Sequence, residues 1–381
     1  DSHQVLVVDD GSADAAAVAR IAARHGATLL RREVNGGPAA ARNTALESVT
    51  SELVAFIDSD CVPAPGWIER LVPHFADPLV AAVAPRIAGL PPAPTSWCGR
   101  YTRAGGGLDL GLRPARVAPG MAVSYVPTAA LICRRAALTA VSGTAVSGTG
   151  VFDESMRVGE DVDLVWRLHE AGWRIRFDPA VQVAHTEPAT LRALFSRRYR
   201  YGTSAAPLAR RHPGAVTHLT LHPWPAATVA AALARRPALA AAGFGACLLT
   251  TGQTLRRADV PTDGLVRAML TAVRQTWLGA GRFGTQFAAP ALAAAIAIPT
   301  EPTPARRWYR RAAAASLLLG PPLADWAAGP RTLDPARFTL ARIADDIAYG
   351  LGVWTGCLHA RTTAPVRPAV AWRQIRQGWP K

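Results

Sequence analysis

The sequence predicts an α/β fold, a mixed sheet with helices on both faces, followed by an all-α tail that associates with a membrane. Three observations predict it. Up to about residue 213, short branched apolar runs alternate with helix-like segments, the pattern of α/β folds. Beyond that point strand-like runs vanish, and alanine-rich segments broken by arginine pairs take over. Two of those segments, residues 237–255 and 283–300, carry no charge over 19 and 18 residues, near the ~20 residues that cross a bilayer.

Taken in order, residues 4–8 (QVLVV) are a continuous apolar run and read as a buried parallel strand. Residues 14–25 follow as a helix ended by Gly26, and 28–31 as a second strand. Residues 38–49 read as a helix with Pro38 in its first turn. A third strand at 53–57, a helix at 67–75 and a fourth strand at 79–83 come next. The stretch 91–120 is rich in Pro and Gly and too long for a simple connection, so it reads as a functional loop or lid. Residues 125–133 predict another strand, and the duplicated VSGTAVSGT at 141–149 a surface insertion without chemistry. A helix at 160–171, stopped by Gly172, precedes strands at 173–177 and 181–185. The domains expected are therefore 1–213 and 214–381.

The length of 381 residues suits two domains. No charged segment followed by an apolar run opens the chain, so no signal peptide is expected, and the start at Asp1 reads as a cut through a longer protein. The net charge of +15 suits an anionic partner such as a membrane face or a phosphorylated substrate. Nucleic acid is not expected, because no basic strand with interleaved aromatics is present. The five cysteines lie far apart without a CxxC pair, which argues against a zinc site or a disulfide framework and predicts buried, reduced thiols. Seven of the eleven tryptophans lie beyond residue 220, and Trp favours membrane interfaces. With the arginine pairs, this places the tail on an anionic membrane at the cytoplasmic face of the cell membrane, with a soluble helical bundle as the rival reading.

Five motifs carry chemistry. Asp9-Asp10-Gly11-Ser12 follows the first strand, where ligands of open α/β sheets sit. Its carboxylates can accept hydrogen bonds from a base or ribose, or the segment is a turn in which Ser12 caps the next helix. Asn35-Gly36-Gly37-Pro38 opens the helix that carries Arg42; its amides and that guanidinium suit a phosphate, or form an ordinary capped helix. Asp58-Ser59-Asp60 ends a strand, and its oxygens suit Mg2+ or Mn2+ or a solvated loop. Glu160, Asp161 and Asp163 crowd a helix start, favoured by the helix dipole alone or supplying a catalytic base. His185 closes a strand and is either structural or a metal ligand.

In this order (strand–DDGS, NGGPAAARN, VAFIDSD, RR, VGEDVDLVWRL, VAH), residues 4–205 resemble the family 2 glycosyltransferases, which have a GT-A-type, Rossmann-like fold. The segments SYVPTAALICRR, RVGEDVDLVWRLHEAGWRIRFDP and YGTSAAPLARRHPGAV, and the tail segment LDPARFTLARIADDIAYGLGVWTGCL, are most similar to the mycofactocin-system subgroup. The resemblance implies an inverting hexosyltransferase that uses a UDP-sugar, glucose above all, and a divalent cation, Mg2+ or Mn2+. The acceptor would be a small peptide-derived molecule or a glycan on it. Carried over residue by residue, Asp161 is the general base. Asp9, Asp10, Asn35, Gly37, Arg42, Asp58 and Arg198 bind the nucleotide sugar, and Asp60 and His185 bind the metal. Two departures stand out. FSRRYRYG replaces the QxxRW of processive relatives, and the strand–helix unit that precedes DDGS in the family is absent from this sequence. The alternatives are a lipid or cell-wall acceptor, or a truncated, non-catalytic sugar-binding remnant.

Overall fold

In a computed structural model the described residues are 3–90, 96–104, 107–145, 150–299 and 301–371. The chain forms two compact units, one of residues up to 191 with 207–215, the other of 192–206 with 216 onward.

The first unit is mixed α/β. Strand β1 (Leu6–Asp10), helix α1 (Ala15–Arg24), strand β2 (Thr28–Arg32) and helix α2 (Pro38–Glu47) lead to β3 (Leu53–Ile57) and β4 (Cys61–Pro63). Helix α3 (Trp67–Leu71), β5 (Val80–Leu90), α4 (Trp97–Ala104), β6 (Ala115–Val117), β7 (Ala130–Arg134), α5 (Arg135–Ala140), α6 (Glu160–Glu170) and β8 (Arg174–Thr186) complete it. The central sheet has the order β3-β7-β5-β8-β4, with β6 also on β8. β5 and β8 run parallel, while β3, β4 and β6 pair antiparallel. Leu71, Phe75, Val83, Ile87, Ile132 and Val183 pack the core on this sheet.

Most predicted elements stand within a few residues of the expected ends. β5 runs on to Leu90, past the expected stop at 83, because Pro85 falls at a register shift against β8, where a missing ladder donor costs little. The same shift lets Asp178–Gln182 pass opposite Pro85 and Arg86, so the two strands expected at 173–177 and 181–185 are one strand, β8. The strand expected from 125 starts only at Ala130. β1 and β2 form a separate parallel pair beside, not within, the central sheet. The expected lid (91–120) and the 141–149 repeat each lie partly outside the described residues.

The second unit is helical. α8 (Ala205–Arg211) lies mostly in the first unit; after α7 (Leu191–Thr203) and β9 (Thr220–Leu221) the second has α9 (Pro223–Leu233), α10 (Pro237–Arg257), α11 (Leu265–Ala297), α12 (Pro304–Ala328) and α13 (Pro335–His359), then β10 (Ala369–Val370) on β9. Glycines set the closest contacts. A Cβ on Gly350 would lie 1.7 Å from the Gln286 carbonyl oxygen, and one on Gly352 2.0 Å from that of Tyr199. α11 breaks at Ala288, two residues before Pro290, as an internal proline requires. Between the helices lies a charge-balanced group in which Arg282, Arg342 and Arg198 meet Asp325, Asp345 and Asp346.

Candidate active site

The centre of the site is Arg42. It sits on α2, with its guanidinium 5.5 Å above the Phe152 ring. One nitrogen donates to Asp58 Oδ1 at 2.8 Å and another to Glu160 Oε1 at 2.7 Å. One cation thus joins the end of β3 to the start of α6. Burial pushes the Glu160 carboxyl up to about 7, with the neighbouring Asp161 adding to the effect and Arg42 opposing it. The Asp161 carboxyl is likewise raised by burial, against Arg42 and the amides of Val162 and Thr128. Val162 N–H donates to Asp161 Oδ1 at 2.8 Å. The structure therefore brings Arg42, Asp58 and Asp161 together, with Glu160 between them. A carboxylate with a raised proton affinity is a competent general base near neutral pH.

The two acids of DSD remain accessible: the Asp58 side chain is 40% exposed and that of Asp60 53%. β4 pairs Cys61 with His185 of β8, which sets His185 Nε2 3.3 Å from Asp60 Oδ2. The carboxylate of Glu187 lies 3.6 Å from Nδ1 of the same ring. Among the described residues no three His, Cys, Asp or Glu side chains converge as a metal cage. One open carboxylate beside one imidazole could hold a divalent ion such as Mn2+ that takes its other ligands from substrate phosphates and water. The residues present fit such an ion.

Asp9 and Asp10 are engaged differently from the expected nucleoside contact. The β1–β2 register sets Asp9 opposite Arg31 and Asp10 opposite Arg32, and both pairs close as ion pairs. Asp9 is 3% exposed and accepts from Ser12 N–H; the Ser12 hydrogen bonds, with Arg31, hold its carboxyl below the usual range. Asp10 accepts from the amides of Gly36 at 2.9 Å and Gly37 at 2.6 Å. The amides expected to cradle a phosphate thus cradle the chain's own carboxylate, and Asn35 Nδ2 donates to the Asp10 carbonyl. Gly37 has φ 86° at the start of α2, where a Cβ would meet Arg157 at 3.0 Å. Arg198 belongs to the other unit, where it pairs with Asp345 at 2.8 Å and lies 5.2 Å over the Tyr349 ring.

One contributor escaped the sequence reading. Asn43 makes four hydrogen bonds: Nδ2 donates to Phe152 O and Glu154, and Oδ1 accepts from the amides of Val151 and Phe152. The signal was present, since a mid-helix Asn is a poor helix former. Asp163 proves to be buried between Arg167 and His212, away from the role its motif position allowed.

Residues 1–136 match the family model Glycosyl transferase family 2. Over 96% of its length the chain is 36% identical to the pre-mycofactocin glycosyltransferase of Mycobacterium tuberculosis, covering 77% of that protein. The chain belongs to glycosyltransferase family 2. A β-monoglucosyldiacylglycerol synthase of Synechocystis is 26% identical over 53% of this chain and 41% of its own. Among solved structures, a mannosyltransferase from Pyrobaculum calidifontis in complex with GDP-Man and Mn2+ aligns with TM-score 0.41 and 22% identity, over 83% of this chain and 77% of that one. For this glycosyltransferase the Arg42-centred group of acids is the candidate active site.

Proposed function

We propose that the protein transfers a glucosyl residue from UDP-glucose to an acceptor hydroxyl with inversion, in glycosylation of the peptide-derived redox cofactor mycofactocin. The observation that carries this reading is the convergence of Asp58, Glu160 and Asp161 on Arg42. The 36% identity to a pre-mycofactocin glycosyltransferase supports the acceptor.

In this reading Asp161 takes the proton of the acceptor hydroxyl as that oxygen bonds to the anomeric carbon. The bond from that carbon to the UDP oxygen breaks on the opposite face, so configuration inverts and UDP leaves with the electron pair. Asp58, held by Arg42, faces the donor. Asp60 and His185 would hold a divalent cation, which when bound neutralises charge on the departing diphosphate. Arg42 fixes β3 and α6 relative to each other, so that nucleophile and base share one geometry.

The test is mass spectrometry of products after incubation with UDP-glucose and either Mn2+ or EDTA. The peptide-derived acceptor should gain one or more hexoses, and only with metal. Hexose on diacylglycerol instead would favour a lipid acceptor, and transfer from GDP-mannose alone would replace the donor.

We also propose that the helical unit attaches to the cytoplasmic face of an anionic membrane. Among the described residues α10 is long and apolar enough to cross a membrane, by length and composition only. Leu239 and Leu249 on α10 are more than 60% exposed, and Arg235, Arg236, Arg256 and Arg257 flank it.

A further inference from the structure

Helix α6 carries Asp161 in its first turn, and a second set of charges grips it away from Arg42. His212 follows α8 in sequence and is 4% exposed. Its Nε2 lies 3.0 Å from Asp163 Oδ1 and its Nδ1 2.7 Å from Glu170 Oε1. Both neighbours are carboxylates, so both ring nitrogens must donate, which only the imidazolium does. The Trp166 ring meets the imidazole edge-on at 5.2 Å. The charged groups around this ring are Asp163, Arg167 and Glu170 of α6, and Arg211 of α8. Arg167 donates to Asp163 at 2.8 Å. Arg211 lies 3.8 Å from Asp163 and pairs at 2.5 Å with Asp153, in the loop that leads into α6. The ring therefore spans two turns of the helix, from residue 163 to residue 170, and fixes its rotation about its axis.

We propose that the His212 imidazolium, clamped between Asp163 and Glu170, is a positioning residue that holds α6 in the rotation placing Asp161 for proton transfer. This rests on the reading of Asp161 as the base. Losing one ring proton leaves one carboxylate without its donor and loosens one end of the clamp. Burial works against the charged ring, but the hydrogen bonds and charges of Asp163 and Glu170 outweigh it and raise the imidazole above its ordinary value. The clamp is therefore complete below the ordinary histidine pKa and is lost as pH rises through the raised one, giving an alkaline limb to turnover.

The test uses the full chain and two variants, Glu170→Gln and His212→Gln. The Glu170 side chain is 55% exposed, so its change spares the core. In Glu170→Gln the ring nitrogen resonances of His212 should titrate at lower pH, and the alkaline limb of kcat should move down with them while KM for the donor stays within twofold. His212→Gln should lower kcat, of order 10²-fold for a misplaced base, and flatten that limb. Hydrogen exchange at the start of α6, corrected for intrinsic pH dependence, should rise along the same titration. A shifted titration with an unmoved kcat profile overturns the proposal, as does a His212→Gln variant that is less heat-stable but fully active. Should Asp161→Asn keep parental turnover, the base assignment fails; exchange in α6 that follows His212 then still supports the clamp, and exchange blind to it overturns the clamp.

Discussion

Asp161 and Asp163 stand two positions apart on one helix, yet their surroundings give them opposite tasks. Asp161 is half-buried beside Arg42 and Asp58. Asp163 is 2% exposed and bonded to Arg167 and His212. Asp161→Asn should cost ~10²–10⁴ in kcat with donor affinity within a few-fold by calorimetry. Asp163→Asn should instead lower stability by about 3–5 kcal/mol, the cost of removing one partner of a buried pair, read as a fall in Tm. Asp163 is held low by His212 and Arg167 against its burial, so its stabilisation is present above the ordinary carboxylate range and lost as pH falls through its lowered value. For Glu160 and Asp161 the sign is reversed: burial raises both carboxyls, that of Glu160 to about 7, so their base forms are gained only above the ordinary carboxylate range. The acid limb of kcat should therefore lie above the ordinary carboxylate range, and an acid limb at an ordinary carboxylate value would remove Asp161 from the role. Asp60→Ala should abolish metal-dependent turnover, and near-parental rates at saturating Mn2+ and donor would break its assignment. Motif order pointed to Asp58, Asp60 and Asp161, of which Asp58 and Asp161 meet at Arg42 while Asp60 lies against His185. It could not separate Asp9 and Asp10, whose partners Arg31 and Arg32 lie across a strand pair, from acids left open to a ligand.

At the scale of elements, local pattern located the longer strands and helices of the first unit, because branched apolar runs and glycine stops are short-range signals, but not β4, α4, β6 or α5. What it missed depends on partners distant in sequence. β5 continues through Pro85 only because β8 bulges opposite it, and β1 pairs with β2 apart from the central sheet. The loop before α6 shows the same dependence, since Asn43 supplies the hydrogen bonds that Val151 and Phe152 lack. Asn43→Ala should leave these buried backbone groups unpaired at about 1–3 kcal/mol each, loosen the approach to Glu160, and reduce both Tm and kcat. In the helical unit, Gly352→Ala would drive a Cβ to 2.0 Å from the Tyr199 carbonyl. That overpacking should cost at least ~1–3 kcal/mol, measured by denaturant unfolding, whereas Gly245→Ala, with open space at its Cβ, should be neutral or stabilising.

At the scale of the whole molecule, the helical unit leaves large apolar side chains on its surface. Leu239, Leu249, Leu270, Trp308, Leu340 and Leu358 are each more than half exposed. A solvated bundle turns such side chains inward, and a large exposed apolar surface marks a binding face. The two uncharged windows looked alike in sequence, but α11 breaks at Ala288 within the second, and among the described residues α10 is the helix long and apolar enough to cross a membrane, by length and composition only. Arg235 and Arg236 precede α10, and Arg256 and Arg257 end it. Each basic residue near an anionic surface contributes ~1 kcal/mol, so the four together favour such vesicles by ~4 kcal/mol. We predict that the protein co-sediments with vesicles containing phosphatidylglycerol and much less with neutral ones. Charge reversal of the four arginines should release it if α10 lies along the surface, and binding that survives both high salt and carbonate would mean that α10 spans. Monodisperse protein without detergent, indifferent to anionic vesicles, would leave the exposed leucines to a protein partner and remove the membrane from the proposal.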